Sequence, residues 1–124
     1  MPSAFETAVW CEGEDWCPIT ATATLLGRKW HPVILHRLLE HDRLGYNELL
    51  EEVDGISSKV LSESLEHLED HGLVDRTVVS ERPFRVEYTL TSAGESTEPI
   101  IQAMGDWGSE YLTPPTEEWS TRTQ

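Results

Sequence analysis

Between Ser57 and Gly72 the chain places Leu61, Leu65 and Leu68 at the i, i+4, i+7 spacing that lines one face of an α-helix with apolar side chains. Ser57 is a good N-cap and Gly72 a good C-terminal stop, so the segment predicts a helix running to His71 with both ends encoded. Its N-terminal half also carries Ser58, Lys59, Ser62 and Glu63, which are polar. Such a helix must lie at the edge of a core, with its leucines covered and its serines and lysine left outside.

The flanking segments supply that cover. Ile19 to Leu26 form a short Ala/Thr/Leu helix introduced by Cys17-Pro18, with the proline suited to a first helical position, and Gly27 ends it. His31-Pro32 opens a second helix by the same device, with Val33, Ile34, Leu35, Leu38 and Leu39 on its apolar face. After a break at His41-Asp42-Arg43, a third helix spans Tyr46 to Val53, points Leu49, Leu50 and Val53 inward, and closes at the turn Asp54-Gly55.

Downstream, Leu73 to Val79 reads as a strand and Ser80-Glu81-Arg82-Pro83 as a turn. Phe84, Val86, Tyr88 and Leu90 then alternate with Arg85, Glu87, Thr89 and Thr91, the pattern of a half-buried hairpin strand. Ser92-Ala93-Gly94-Glu95 has the form of a capping box and opens a last helix, on which Ile100, Met104, Trp107 and Tyr111 repeat at i, i+4, i+7, i+11. Residues 1–16 read as an arm, 17–112 as the domain, and 113–124, from Thr113-Pro114-Pro115 onward, as a polar tail.

The expected fold class is mostly α with a small β-hairpin (α+β). Helices joined by a short glycine-containing turn and followed at once by a hairpin are what a winged helix-turn-helix requires. In that arrangement Ser57, Ser58, Lys59 and Ser62 enter the major groove of double-stranded DNA, where hydroxyls and an ammonium reach phosphates or base edges. Arg82 at the wing tip and Arg85 in its strand reach a phosphate or an adjacent minor groove. The alternative for each arginine is a solvated salt-bridge partner.

Charge bears on this in two ways. The 124 residues carry 23 Asp and Glu against 9 Lys and Arg, a formal charge of −14. Eight of the nine basic residues nevertheless lie between Arg28 and Arg85, and DNA contact needs positive charge on one face rather than a basic protein overall. The surplus carboxylates read as adaptation to concentrated salt, in which a dense acidic surface stays hydrated; the alternative is an ordinary acidic protein.

Cys17-Pro18-Ile19, Gly27-Arg28-Lys29-Trp30, Leu44-Gly45-Tyr46-Asn47-Glu48-Leu49, Gly55-Ile56-Ser57-Ser58-Lys59-Val60-Leu61, Gly72-Leu73-Val74 and Val86-Glu87-Tyr88-Thr89-Leu90-Thr91 together resemble the HxlR-type winged helix-turn-helix regulators, over about Cys17 to Leu112. The resemblance implies a homodimeric transcription regulator that binds double-stranded DNA and dimerises through its N-terminal segment and last helix. Ile100, Met104, Trp107 and Tyr111 are then interface candidates, with a core-only role as the alternative. It also implies that Cys17 matches a cysteine that some members use to sense quinones, aldehydes or oxidants, so a small-molecule or oxidant inducer is expected. The alternative for Cys17 is simple packing. With the acidic composition, the resemblance points to a halophilic archaeon as the source. The chain departs from the family in its recognition helix, where Glu63, Glu66, Glu69 and Asp70 leave Lys59 as the only positive side chain.

Other chemistries find little support. Cys11 and Cys17 are too few and too isolated for a zinc motif or a secreted disulfide framework. His67 and His71 stand at i, i+4 without a third ligand near in sequence. No catalytic constellation or phosphate loop is visible, so neither an enzyme nor a cofactor is expected. No apolar run is long enough for a membrane helix and no secretory signal is read, which makes a cytoplasmic protein the expectation. A different class of function, a protein-interaction module that has lost DNA binding and turns its acidic helix to a basic partner, is favoured by Glu63 to Asp70 alone.

Overall fold

The computed structural model describes residues 16–112. The expected arm, apart from Trp16, and the expected tail lie outside these residues, as does Cys11.

Two helices open the domain. In α1 (Pro18–Leu26) the proline stands in the first turn and Gly27 caps the end, its N–H donating to Ala23 O at 2.7 Å. Within α1 the hydroxyls of Thr22 and Thr24 donate to Pro18 O and Thr20 O four residues back. Helix α2 (His31–His41) follows and buries Ile34, Leu35 and Leu38 completely. Asp42 then adopts a positive φ of 64° and turns the chain.

The first departure from expectation follows. Arg43–Gly45, of which the sequence marks Arg43 as the end of a break and assigns Leu44 and Gly45 to no element, is a strand, β1, that pairs antiparallel with the base of the wing through Arg43↔Thr89, Leu44↔Tyr88 and Gly45↔Glu87. The small hairpin is therefore part of a three-stranded sheet of order β1-β3-β2, with β2 at Val74–Glu81 and β3 at Phe84–Leu90. Strand β2 runs two residues beyond the expected Val79, so the turn shrinks to Arg82-Pro83.

Helix α3 (Tyr46–Glu52) and helix α4 (Ser58–Asp70) form the helix-turn-helix. The turn between them needs Gly55 at φ 90°, a left-handed conformation that glycine adopts without a Cβ penalty. Ser57 Oγ accepts from Val60 N at 3.2 Å, as a cap should, and Gly72 at φ 74° ends α4. Leu61, Leu65 and Leu68 are at most 1 % exposed and meet Ile34, Leu35, Leu38, Leu49, Val53 and Tyr88 in one core between the helices and the sheet.

Two further expectations are corrected. Phe84 is exposed, although its alternation partners Val86 and Leu90 are half-buried and Tyr88 is buried; it stands at the far end of β3, beyond the segment that β1 pairs with. The last helix is two. Thr91, not Ser92, provides the cap, accepting from Gly94 N at 3.0 Å, and α5 (Ser92–Glu95) ends after four residues. Helix α6 (Glu98–Tyr111) starts afresh with Pro99 in its first turn, where a residue lacking an N–H cannot continue a preceding helix.

Candidate nucleic-acid interface

The N-terminal half of α4 is fixed from below by leucines and from the side by one tyrosine. The Tyr46 hydroxyl, at the start of α3, donates to Ser58 O at 2.8 Å and lies 2.9 Å from Ser62 Oγ. With the tyrosine proton committed to the carbonyl, the Ser62 hydroxyl donates back to Tyr46 and keeps its lone pairs as acceptors. Ser57, Ser58, Lys59 and Ser62 are all exposed on this end of the helix.

The wing carries Arg82 in its turn and Arg85 on β3, both exposed. Arg76 on β2 holds its guanidinium 5.9 Å from the Phe84 ring centroid. Between the wing and the start of α3 runs a groove of about 370 Å³ lined by Tyr46, Asn47, Arg76, Phe84, Arg85 and Tyr88, among others. Burial pushes the Tyr88 hydroxyl above its usual range and Arg76 only partly opposes this, so Tyr88 stays neutral at the groove. Ser58, Ser62, Tyr46, Arg76 and Arg85 are thus joined through this groove.

Arg28, Lys29 and Tyr46 were not among the expected contacts. Arg28, Lys29 and Trp30, in the turn between α1 and α2, line a recess of about 220 Å³ with Val60, Glu63, Ser64 and His67 of α4. Lys29 lies 4.6 Å from the Trp30 ring centroid, and Arg28 Nη1 lies 3.4 Å from His67 Nδ1. Two adjacent cations in a turn were the available signal, but only the fold brings them to the recognition helix. Acidic groups occupy the C-terminal half of α4. Glu66 and Asp70 are exposed, and Glu69, half-buried, has its carboxyl raised above the usual range by burial, with Arg76 opposing and Asp70, Glu66 and Asp75 reinforcing.

Ile100, Met104, Trp107 and Tyr111 are all exposed along α6, and the Trp107 and Tyr111 rings pack 5.3 Å apart. Ile100 also joins Pro18, Ile19, Ala23 and Leu26 of α1 in an apolar groove of about 730 Å³. The four expected interface residues therefore do not fill the protomer's own core. Cys17 N-caps α1 without a side-chain cap bond, and its sulfur is in a disulfide bond rather than being an isolated thiol.

His67 and His71 are linked along α4, His71 Nδ1 donating to His67 O at 2.8 Å, and His71 is exposed. Among the described residues no group of three or more His, Cys, Asp or Glu is arranged to hold a metal ion, and no helix is long and apolar enough to cross a membrane.

Comparison with known proteins agrees with this geometry. The family described as HxlR-like helix-turn-helix matches residues 25–116. The HTH-type transcriptional regulator YodB of Bacillus subtilis (strain 168) is 35% identical over 103 residues, covering 82% of this chain and 91% of that protein. Its reduced form superposes with a TM-score of 0.67 at 34% identity, over 82% of this chain and 99% of that one, and a quinone-bound form has also been solved. A MarR-family regulator from Porphyromonas gingivalis W83 superposes with a TM-score of 0.73 at 33% identity, covering 80% and 96% of the two chains. The redox regulator HypR in its oxidized form gives 0.72 at 31% identity, covering 79% and 100%.

Proposed function

Because the chain belongs to the HxlR-like helix-turn-helix family and is a DNA-binding transcriptional regulator, we propose that it binds operator DNA as a homodimer, with α4 in the major groove and the wing on the adjacent minor groove. Ser57, Ser58, Lys59 and Ser62 contact base edges or brace phosphates, Ser62 as an acceptor suited to an exocyclic amine. Arg82 and Arg85 hold the flanking backbone, and Arg28 and Lys29 add phosphate contacts on the other side of α4. The observation that carries this reading is the exposed N-terminal half of α4, held by Tyr46 and flanked on both sides by cations.

Dimerisation runs through the apolar surface shared by α1 and α6, which gives the two recognition helices a two-fold relation. Cys17 lies at the start of α1, so a change in its redox state acts on an element of that interface. Redox or electrophile modulation is supported by the reduced, oxidized and quinone-bound forms of YodB and HypR. The charge of −14 fits an extreme halophile's cytoplasm, where screening shortens the range of carboxylate repulsion from DNA.

Fluorescence anisotropy in molar potassium chloride with the protein's own upstream region tests the reading. Preferential binding to that duplex over a scrambled one is expected, and equal binding to both would sink it. Replacing Cys17 by Ser should abolish any response of this binding to diamide or quinone. The acidic face of α4, Glu63 with Glu66, supports the competing reading as a protein-interaction module, which predicts no duplex binding at any salt concentration and capture of a basic partner instead.

A further inference from the structure

Among the described residues, the large exposed apolar side chains fall into two groups. Those on or beside α1 and α6 belong to the surface assigned to the dimer. The other three, Val78, Val79 and Phe84, all lie in the distal wing. A single exposed apolar residue needs no explanation, but Phe84 differs in its size, its placement and its neighbours.

Phe84 leaves 63% of its surface open. Strand alternation puts it on the same side of β3 as Val86 and Tyr88, and it lines the groove to which Tyr46, itself bonded to Ser58 and Ser62, also contributes. Arg76 sits over the ring, Arg82 precedes it by two residues and Arg85 follows it directly. Glu81, its cross-strand neighbour, is the acidic group beside it in register. An apolar ring beneath the Arg76 guanidinium, in a groove that Arg85 and the carboxylate residue Glu48 also line, suits a ligand that presents apolar surface between ridges of negative charge. A duplex minor groove, with sugar and base walls between two phosphate ridges, has that character.

We infer that Phe84 enters the minor groove of the bound duplex as an apolar wedge at one base step, while Arg82 and Arg85 hold the phosphates on either side. The inference rests on the reading of the wing as a DNA contact and adds a residue to it. Wedge contacts unstack a base step and release no counterions, so their contribution does not fall with salt as that of phosphate contacts does. For a recognition helix with a single lysine, this is affinity that survives in concentrated salt.

The test uses the full chain and a duplex selected by it from a random-sequence pool, carrying 2-aminopurine at successive steps of the wing-proximal minor groove. Anisotropy is read from about 0.2 to 2 M potassium chloride. Phe84→Ala should weaken binding roughly 5- to 150-fold, the range of base–aromatic stacking, by the same factor at every salt concentration. Phe84→Leu should retain most of the affinity, whereas Arg82→Ala should flatten the salt dependence by about one unit of slope. Wild-type binding should raise 2-aminopurine fluorescence at one step, and Phe84→Ala should not. Unchanged affinity of Phe84→Ala, or no fluorescence change at any step with the wild type, would overturn the wedge while leaving DNA binding intact. A pool that yields no selected duplex would overturn the DNA reading itself.

Discussion

The rings of His31 and His67 meet edge to face, with centroids 5.8 Å apart and planes inclined at 65°, and so join the start of α2 to the recognition helix. His31 is 1% exposed, and its Nδ1 lies 2.9 Å from Leu25 O. A carbonyl can only accept, so Nδ1 carries the proton and Nε2 is left as a buried acceptor without a hydrogen-bond partner. Burial lowers the His31 pKa below the ordinary 6.5; the bond to Leu25 opposes this, while Arg28, His67 and His71 add to it.

The sign of the resulting pH effect follows. The folded state binds this proton less readily than the unfolded chain, so stability is full above the unfolded value near 6.5 and is lost as pH falls from there toward the lower folded pKa. Melting temperature measured across this window should decline for the wild type, and the decline should be shallower in His31→Phe, whose ring cannot charge. Equal slopes in the two proteins would refute the assignment.

Core and surface of α4 should separate cleanly. Leu65→Ala removes a side chain at 1% exposure and should cost about 2–5 kcal/mol, read as a lower denaturant midpoint. Lys59→Ala, at an exposed position, should leave the midpoint unchanged and weaken operator binding. A fall in stability with Lys59→Ala would mean that the side chain has a structural role.

Gly94 has no room for a side chain, since a Cβ there would collide with the Leu73 carbonyl, which already accepts from Thr91 N at 3.0 Å. Gly94→Ala should therefore destabilise by about 1–3 kcal/mol, the usual range for forced overpacking, and thermal unfolding reads it directly. Wild-type stability in this variant would show that α5 shifts freely.

Trp107 is well exposed on α6 beside Tyr111. If this stripe joins two protomers, Trp107→Glu should give a folded monomer by sedimentation, with operator affinity reduced because half-sites are no longer bound together. A variant that remains dimeric would exclude Trp107 from the interface.

What the sequence disclosed follows from the range over which each feature is decided. Ser57, Leu61, Leu65, Leu68 and Gly72 are set by contacts within a few turns, and their roles were readable in order. Strand β1 was not, because Arg43–Gly45 is too short for a periodic signal and becomes a strand only through Thr89, Tyr88 and Glu87. Thr91 and Ser92 offer hydroxyls at adjacent positions, and the descent of β3 chooses the first. The distance between Arg28 and α4, like that between Tyr46 and Ser62, is a tertiary fact with no local mark. Phe84 followed a sound alternation that runs on beyond the segment paired with β1.

Strand β1 braces β3 only over residues 87–89, whereas β2 and β3 stay paired out to Glu81 and Phe84. The wing is consequently a cantilever: clamped at its root, two strands wide at its tip, and bulged between Val78 and Ser80. Two-stranded ribbons twist more than wider sheets. The twist of the tip, and with it the direction in which Arg82 is presented, is therefore set by β2 and β3 alone, without restraint from β1.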